Sequence, residues 1–312
     1  MIQIPSDRVI AALDYNLLID ALRNIFLSNY TMPVRHHHFY RTDEGVENTF
    51  ILMPVWNDRY LGIKQVVVAP ANSGKGLPAI HASYTLLDAQ TGVPLAQLDA
   101  AQLTSRRTAC TSALAASYLA RQDAESLLVV GSGKVAQHLV QAHTAVRSYK
   151  QITVWTRDSS KSLAFVDQLA EEGYQVDIAR NLEDAARDAD VVSCATLSPS
   201  PLIKGKWLKP GTHLDLIGSH TPKTREVDDE AIRRSKVFVD SRDGALHETG
   251  ELAVPIANGI FDPADVQADI VELCKGAHPG RGDAREITLF KSAGLAIEDL
   301  AAALLAYESV VG

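Results

Sequence analysis

From Ser126 onwards, short apolar runs alternate with segments of helical composition, and this alternation constrains the fold more than any other feature of the chain. The runs are about five residues long, and the connections between them are short. Strands that alternate with helices in this way pair in parallel through right-handed crossovers and form a doubly wound α/β sheet. The pattern therefore predicts an α/β domain over residues 113–287.

The first of these runs leads into VVGSGKVA, in which Gly131, Gly133 and Ala136 have the GxGxxA spacing. The first glycine allows a tight turn, the second lets a pyrophosphate approach the backbone, and the small third residue lets helix and strand pack closely. The helix N-terminus that follows stabilises phosphate charge. The spacing alone also fits a plain glycine turn, but its place between a strand and a helix indicates a Rossmann dinucleotide site.

The second strand, ITVWTR, ends where an enzyme that uses NAD usually carries an acid for the ribose hydroxyls. Thr156 and Arg157 stand there instead, and Asp158, which follows, is placed to cap the next helix. Arg157 and Lys161 suit a 2′-phosphate, which favours NADPH as the cofactor, with NADH as the alternative. The other interpretation of Arg157 is a solvated loop residue.

The segment RRTACTSALAASYLARQ predicts a helix, and the chain before it has a different pattern of residue types. Its β-branched and aromatic runs, such as TFILMPVW and YLGIKQVVVA, predict an antiparallel or mixed sheet, so that residues 1–112 form a second, α+β domain. The segment TLFKSAGLAIEDLAAALLAYESV, residues 288–310, is predicted to be helical throughout. We expect residues 288–312 to return to the first domain.

Composition excludes several classes of function. A formal charge of −8 with dispersed basic residues gives no electrostatic footprint for nucleic acid. No apolar run approaches the roughly 18 residues that a membrane span needs, and no secretory leader is recognisable, so we expect a cytoplasmic protein. Three separated cysteines argue against a disulfide framework or a zinc site. We also expect no metal at His36, His37 and His38, because neighbouring strand residues point to alternate faces.

Several segments occur together that are specific beyond a generic Rossmann domain. They are PVR at 33–35, LMPVW at 52–56, GIKQVVVAPAN at 62–72, LLDAQTGVPLA, LTSRRTACTSALAASYLA, VVGSGKVA, ADVVSCAT and LFKSAGLAIEDLAAA. Together they resemble the ornithine cyclodeaminase and mu-crystallin family, nearly from end to end. The resemblance implies a homodimer whose α+β domain binds a small amino or imino acid and makes the dimer contact, while the Rossmann domain binds a nicotinamide cofactor.

Residue by residue, the resemblance implies that Arg35, Lys64 and Arg107 bind the carboxylate of the substrate. A carboxylate bound away from water needs paired cations, and arginine offers a bidentate fork. Without the resemblance, Arg107 fits equally well as a surface residue of its helix, and Lys64 is either outward-facing on its strand or functional. Lys64 is the preferred residue for supplying or relaying a proton.

Cyclodeaminases of this family carry an aspartate in a Gly-x-Asp turn, after the strand that corresponds to LDLI here. This chain has Gly218, Ser219 and His220 at the turn, and Asp215 lies within the strand, so the acid is missing. A reductase needs only a carboxylate clamp, a hydride donor and a proton for the imine nitrogen. His220 either closes the strand or relays protons, and His81 is a comparable candidate for the relay.

The turn and the segment LPAIHASYTLLD look most like the branch of the family that reduces cyclic ketimines. The resemblance thus implies an NAD(P)H-dependent reductase of Δ1-pyrroline-2-carboxylate and Δ1-piperideine-2-carboxylate. The alternatives are an ornithine cyclodeaminase with NAD, an alanine dehydrogenase, and a non-catalytic, crystallin-like protein that binds NADPH. The expected catalytic residues are Lys64, Arg35, Arg107, His81 and His220. The predicted cofactor-binding residues are Thr108, Gly131, Ser132, Gly133, Val135, Ala136, Thr156, Arg157, Asp158, Lys161, Ala195, Thr196, Ile217, Ser219 and Ser292.

Overall fold

The computed structural model describes residues 1–312, except for the side chain of Ser73. The chain forms two compact units, one made of Met1–Arg107 with Leu295–Gly312 and the other of Thr108–Gly294. The domain limits predicted from the sequence lie at 112/113 and 287/288. No described helix is long and apolar enough to cross a membrane, and a cytoplasmic location stays a prediction.

A six-stranded sheet forms the centre of the first unit. Its strands are β1 (Ile2–Ile4), β2 (His36–Arg41), β3 (Glu47–Trp56), β4 (Tyr60–Val68), β5 (Ile80–Asp88) and β6 (Pro94–Asp99). Strands β2 to β6 pair antiparallel in chain order, and β1 pairs parallel with β6, so the predicted mixed sheet is confirmed. Strand β2 lies at the edge of this sheet, and all six of its residues are exposed.

Three helices belong to the first part of the chain. They are α1 (Ser6–Ala12), α2 (Tyr15–Leu27) and α3 (Ala100–Leu119). Asp14 caps α2 by accepting hydrogen bonds from two backbone N–H groups of its first turn, and the helix buries one apolar face. Helix α3 is the helix predicted from its Ala-rich and Leu-rich sequence, and the boundary between the two units falls inside it.

An eight-stranded, wholly parallel sheet forms the centre of the second unit. Its strands are β7 (Ser126–Val130), β8 (Gln151–Trp155), β9 (Asp177–Ile178), β10 (Val191–Cys194), β11 (His213–Leu216), β12 (Ser235–Val239), β13 (Ala268–Asp269) and β14 (Ile287–Lys291). The strand order β13-β12-β14-β11-β10-β7-β8-β9 confirms the doubly wound Rossmann sheet. The order reverses between β7 and β10, and open α/β sheets bind ligands at the carboxyl ends of strands beside such a reversal.

Helices follow most strands of the second unit. They are α4 (Leu139–Val146), α5 (Ser159–Glu171), α6 (Leu182–Asp188), α7 (Asp229–Arg234), α8 (Arg242–Glu248), α9 (Gly250–Ala257) and α10 (Ile270–Cys274). Side chains of Asp158, Asn181 and Asp228 cap α5, α6 and α7. A buried apolar cluster fills the space against the central strands, with Leu128 and Leu214 among its fully buried members.

One predicted element is wrong. The sequence predicts a single helix over residues 288–310, whereas the structure has strand β14 and then helix α11 (Ala296–Val311). All five residues of β14 are buried, and it pairs with both β11 and β12. A short apolar run does not by its periodicity distinguish a buried strand from a buried helix. Gly294, with φ at 81°, separates the two elements, and only α11 joins the first unit.

Candidate active site

Lys64 lies on the buried face of β4, where alternate residues point to the interior of the first unit. Its side chain is 3% exposed, and its Nζ lies 2.7 Å from Oδ2 of Asp299 on α11. A lysine buried this deeply needs a counter-ion, because an unpaired ammonium gives up its hydration without compensation. The outward-facing alternative for Lys64 is therefore wrong.

Arg107 is buried on α3 and makes two ion pairs with the start of α11. Its Nε donates to Oδ1 of Asp299 at 2.8 Å, and its Nη1 donates to Oε2 of Glu298 at 2.5 Å. Both carboxylates lie in the first turn of α11, where the helix macrodipole stabilises negative charge. Arg107 is thus part of a buried ionic network, and the alternative of a surface arginine is wrong.

Arg35 completes what we call the charge cluster: Arg35, Lys64, Arg107, Glu298 and Asp299. Arg35 is half-buried just before β2, and its charge acts on Lys64. The cluster thus brings two arginines and a lysine together beside two carboxylates. Arginine and lysine side chains gathered in this way are suited to a ligand with a carboxylate.

The cations of the charge cluster differ in how readily they release a proton. Burial lowers the pKa of Lys64 most, Asp299 opposes this effect, and the positive charge of Arg107 lowers it further, so that the pKa is about 8. For Arg107, the attraction of Asp299 and Glu298 outweighs burial and raises the pKa, so this residue stays charged. Lys64 is the cation suited to proton transfer near neutral pH.

Tyr84, which the sequence analysis does not single out, is the direct cross-strand neighbour of Lys64. It is fully buried, and its ring lies across β4 at Gly62, where any Cβ would collide with the tyrosine hydroxyl. Burial raises the pKa of Tyr84, and the charge of Asp299 adds to this effect. His81 on the same strand pairs with Val67 and is exposed, so the structure does not bring it into the charge cluster.

Glu298 and Asp299 are also missed by the sequence analysis, although the segment AIEDLAAA contains a usable signal. Two adjacent acids stand in a helix that is otherwise rich in alanine and leucine. Charged residues on a buried helix need partners of opposite sign. The acids therefore indicate buried cations elsewhere in the unit, but not which ones.

The glycine turn of the second unit has the geometry that its motif predicts. Gly131 follows β7 with φ at 123°, and a Cβ there would lie 2.6 Å from the carbonyl oxygen of Ala195. At Gly133, by contrast, a Cβ would meet nothing within 4 Å, so the space over the backbone is open. Ala136 is fully buried and begins the helical segment that continues as α4. A bound phosphate could thus approach the backbone at Gly133.

A cavity of about 350 Å³ lies beside this turn, at the carboxyl ends of β7, β8 and β10. It brings together nine of the predicted cofactor-binding residues: Gly131, Ser132, Gly133, Thr156, Arg157, Asp158, Lys161, Ala195 and Thr196. Trp155, Leu197, Ser198, Pro199 and Leu202 also line it. The cavity combines a backbone turn, an apolar side and two lysine or arginine side chains, which is the mixture that a nucleotide requires.

Some polar side chains after β8 make hydrogen bonds within the protein, and others line the cavity. Asp158 accepts hydrogen bonds from the backbone N–H and the hydroxyl of Ser160, so it caps α5, and these bonds lower its pKa. Thr156 makes a 2.7 Å hydrogen bond with the hydroxyl of Ser162. Arg157 and Lys161 are exposed on the wall of the cavity. The charged side chains that line the cavity here without capping a helix are therefore positive.

The other predicted cofactor residues, Thr108, Val135, Ala136, Ile217, Ser219 and Ser292, do not line this cavity. Two of the hydroxyls are used within the second unit itself. Ser219 is buried and donates to the carbonyl oxygen of Thr224 at 2.6 Å, and Ser292 donates to Oδ2 of Asp240 at 3.0 Å. Their hydroxyls thus help to shape the loops after β11 and β14.

His220 is exposed in the turn after β11, with Nδ1 3.2 Å from the carbonyl oxygen of Gly218. This contact fits the role of closing the strand. Asp215 lies inside β11, as predicted, and accepts hydrogen bonds from Ser112 and Ser193. Among residues with described side chains, no group of three His, Cys, Asp or Glu could hold a metal ion.

Comparison with known proteins gives matches over the whole chain. The model of the ornithine cyclodeaminase/mu-crystallin family matches residues 4–312. An uncharacterised protein of Schizosaccharomyces pombe is 48% identical over 305 residues, which cover 93% of this chain and 92% of that protein. A Delta(1)-pyrroline-2-carboxylate reductase of Colwellia psychrerythraea is 35% identical over 306 residues, which cover 96% of each.

Two solved structures are similar over the same length. One is the Delta(1)-pyrroline-2-carboxylate reductase of Thermococcus litoralis in complex with NADH and L-proline, with a TM-score of 0.93, 30% identity and coverage of 100% of this chain and 98% of that one. The other is an archaeal alanine dehydrogenase dimer with bound NAD, with a TM-score of 0.92, 30% identity and coverage of 100% and 96%. Both contain a nicotinamide dinucleotide.

Proposed function

The chain belongs to the ornithine cyclodeaminase/mu-crystallin family, and from this premise we propose that it is an NAD(P)H-dependent reductase of cyclic ketimines. It reduces Δ1-pyrroline-2-carboxylate to proline and the six-membered Δ1-piperideine-2-carboxylate to pipecolate. The observation that carries the proposal is the charge cluster, because it gathers two arginines and a lysine, which together suit a small ring with one carboxylate. Relatives named as reductases of this substrate support it.

The charge cluster assigns a role to each cation. Arg35 and Arg107 bind the substrate carboxylate. Lys64 donates a proton to the imine nitrogen, and this protonation makes the imine carbon electrophilic. Asp299 binds Lys64 through one oxygen and Arg107 through the other, so a single carboxylate fixes both cations. The imine gains one hydride at carbon and one proton at nitrogen, and the product is a cyclic amine.

The second unit fits the cofactor through the glycine turn and its cavity. A reduced nicotinamide cofactor, when bound, supplies the hydride. In this proposal the pyrophosphate lies over Gly133, where the space is open, and Arg157 and Lys161, which line the cavity, bind a 2′-phosphate. Since Asp158 is used as a helix cap, we propose NADPH as the preferred cofactor and NADH as the weaker one.

The cyclodeaminase alternative lacks a suitable acid in this structure. Asp228 caps α7 and also accepts from the backbone N–H of Gly205 at 2.8 Å, while Asp229 lies 2.8 Å from Arg225. Exposed His220 occupies the turn where the cyclodeaminases carry their aspartate. The crystallin-like alternative has no use for a charge cluster that binds a carboxylate. Both alternatives are therefore weaker than a reductase.

We also propose that the protein is a homodimer that forms through β2. This strand lies at the exposed edge of its sheet, and Phe39 on it is 67% exposed. Edges of this kind pair readily with another chain. The archaeal relative of known structure is a dimer. Multi-angle light scattering of the purified protein should give twice the chain mass, and a monomer would contradict the proposal.

The decisive test follows the near-ultraviolet absorbance of reduced nicotinamide in the presence of Δ1-pyrroline-2-carboxylate. We expect rapid loss of NADPH with formation of proline, and no reaction of ornithine with NAD in a parallel sample. Ammonia and proline from ornithine, without ketimine reduction, would establish the cyclodeaminase instead. Binding of NADPH without turnover of any imine would support the crystallin-like protein.

A further inference from the structure

A buried carboxylate, that of Glu226, joins the ends of two central strands of the second unit. Its Oε1 accepts from the backbone N–H of Thr196 at 2.6 Å and from the hydroxyl of Thr196 at 3.0 Å. Its Oε2 accepts from the backbone N–H of Gly218 at 2.9 Å. Thr196 and Gly218 each follow their strand, β10 or β11, by two residues. One carboxylate thus binds both strand ends.

The two strand ends are in direct backbone contact at this carboxylate. A Cβ on Gly218 would collide with the backbone of Thr196 and would also approach Oε1 of Glu226 to 2.5 Å. Thr196 lines the cavity beside the glycine turn, whereas Glu226 is fully buried. Glu226 therefore acts on the wall of the cavity from behind and does not touch a ligand in it.

Further buried groups hold Glu226 in place. The carboxylate of Glu251 accepts from the backbone N–H groups of Glu226 and Val227, each at 2.8 Å. Lys291, also fully buried, donates to the carbonyl oxygens of Leu216 and Ser219 at 3.1 and 2.7 Å. Burial and the neighbouring carboxylate of Glu251 raise the pKa of Glu226. Burying two carboxyl groups near one cation costs free energy of folding, so we expect these residues to serve a function that offsets this cost.

We propose that Glu226 is a positioning residue for cofactor binding: its carboxylate fixes the backbone and the hydroxyl of Thr196 against Gly218, and so maintains the cavity wall at the ends of β10 and β11. The inference rests on the proposed function, in that the cavity is taken as the dinucleotide site. It adds a residue that neither the glycine motif nor the lining of the cavity identifies.

The variant Glu226→Gln tests this inference with little change in size. An amide keeps one accepting oxygen but turns an NH2 donor toward Thr196 or Gly218, where an N–H already points. We expect the dissociation constant of NADPH, measured by fluorescence titration, to rise about tenfold to a hundredfold. At saturating NADPH, the KM for Δ1-pyrroline-2-carboxylate should change less than about twofold, because the charge cluster is unaltered.

Glu230→Gln is the matched control. Glu230 is exposed on α7, four residues from Glu226, and its carboxylate lies 4.0 Å from Arg233. The control therefore makes the same chemical replacement without the buried hydrogen bonds. This control should bind NADPH as the wild type does. Should Glu226→Gln fail to fold, Glu226→Asp keeps a buried carboxyl group but is one methylene too short to reach both strand ends. It should weaken NADPH binding in the same direction.

The outcomes separate this inference from the proposed function. Wild-type protein that binds neither NADPH nor NADH would overturn both. Wild-type protein that binds and turns over NADPH, with wild-type affinity in a folded Glu226→Gln or Glu226→Asp variant, would overturn only the role of Glu226. A Glu226→Gln variant that raises only the KM for the imine would also overturn this role, because that effect is expected from damage to the charge cluster.

Discussion

The charge cluster of the first unit and the glycine turn of the second unit are built in opposite ways. The cluster consists of side chains from the segment before β2 and from β4, α3 and α11, which are far apart in the sequence, and four of these side chains form buried ion pairs with one another. The turn is a stretch of consecutive backbone, Gly131–Ala136, with open space over Gly133. The charge cluster therefore depends on compensated charge, and the glycine turn depends on backbone shape.

The variant Asp299→Asn should break the charge cluster at its centre and give the largest effect. Asparagine keeps the size of the side chain, but Lys64 and Arg107 lose the counter-ion that they share. We expect the free energy of unfolding to fall by about 3 to 5 kcal/mol and the reductase activity to be lost. Denaturant unfolding followed by circular dichroism measures the first. Glu308→Gln, an exposed change on the same helix, is the control. Unchanged stability in Asp299→Asn would mean that the ion pairs contribute little.

Lys64→Met should remove the proposed proton donor and lower kcat/KM for ketimine reduction about a thousandfold. The unbranched side chain of methionine retains the packing of the lysine stem, so the effect arises from the lost ammonium. Steady-state kinetics with NADPH provides the measurement. The control is Lys75→Met, because Lys75 is an exposed lysine paired with Glu44. A rise in KM at unchanged kcat would show that Lys64 only binds the carboxylate.

Two glycine variants sharpen the comparison from the other side. Gly131→Ala places a Cβ against the carbonyl oxygen of Ala195 at a φ of 123°, so it should lower the free energy of unfolding by about 1 to 3 kcal/mol. Gly133→Ala meets no protein atom within 4 Å and should leave stability unchanged, yet weaken NADPH binding about tenfold by occupying the space for the pyrophosphate. Thermal melts and cofactor titrations measure both. Equal melting points for the two variants would contradict this distinction.

Arg157→Ala should reduce the preference for NADPH over NADH. The guanidinium of Arg157 is exposed on the cavity wall, and in the proposed function it binds the 2′-phosphate, which only NADPH carries. We expect kcat/KM with NADPH to fall about tenfold while the value with NADH stays nearly constant. The ratio of the two values, measured in parallel, is the readout. An unchanged ratio would return Arg157 to the role of a solvated loop residue.

The pH dependence of the reaction tests the charge cluster without any substitution. Because Lys64 must be protonated to act as the acid and its pKa is lowered to about 8, kcat/KM for ketimine reduction should be halved near that pH. It should then fall further as pH rises, because the ammonium group of Lys64 loses its proton. The residual activity of Lys64→Met should lack this titration. A flat wild-type profile from pH 7 to 10 would exclude Lys64 as the proton donor.

Features that depend on neighbouring residues could be predicted from the sequence. The parallel sheet follows from strands and helices in regular alternation, and the turn at Gly131 and Gly133 from a spacing of a few residues. The cap at Asp158 likewise involves Ser160, two positions away. Arg35, Lys64 and Arg107 were accessible only through the family resemblance, because nothing local distinguishes a buried lysine on a strand from an exposed one.

Features that depend on distant pairing could not be predicted. The counter-ions Glu298 and Asp299 become meaningful only once α11 packs in the first unit, and Glu226 only once β10 and β11 are adjacent. Strand β14 was mistaken for helix because its apolar run is short and ends in a lysine. That lysine, Lys291, is buried, and its Nζ donates to two backbone carbonyl groups. These partners come from the tertiary structure and are not recognisable in the local sequence.

The discontinuous first unit has a consequence for the order in which the protein is made. A ribosome completes the whole of Thr108–Gly294 before it adds Leu295–Gly312, which contains the counter-ions of Lys64 and Arg107. The first unit is thus the earliest to be started and the last to be finished, while the second unit can fold as one continuous stretch. During that interval Lys64 and Arg107 have been made but their counter-ions Glu298 and Asp299 have not, so the ion pairs that stabilise the first unit form only at the end of synthesis.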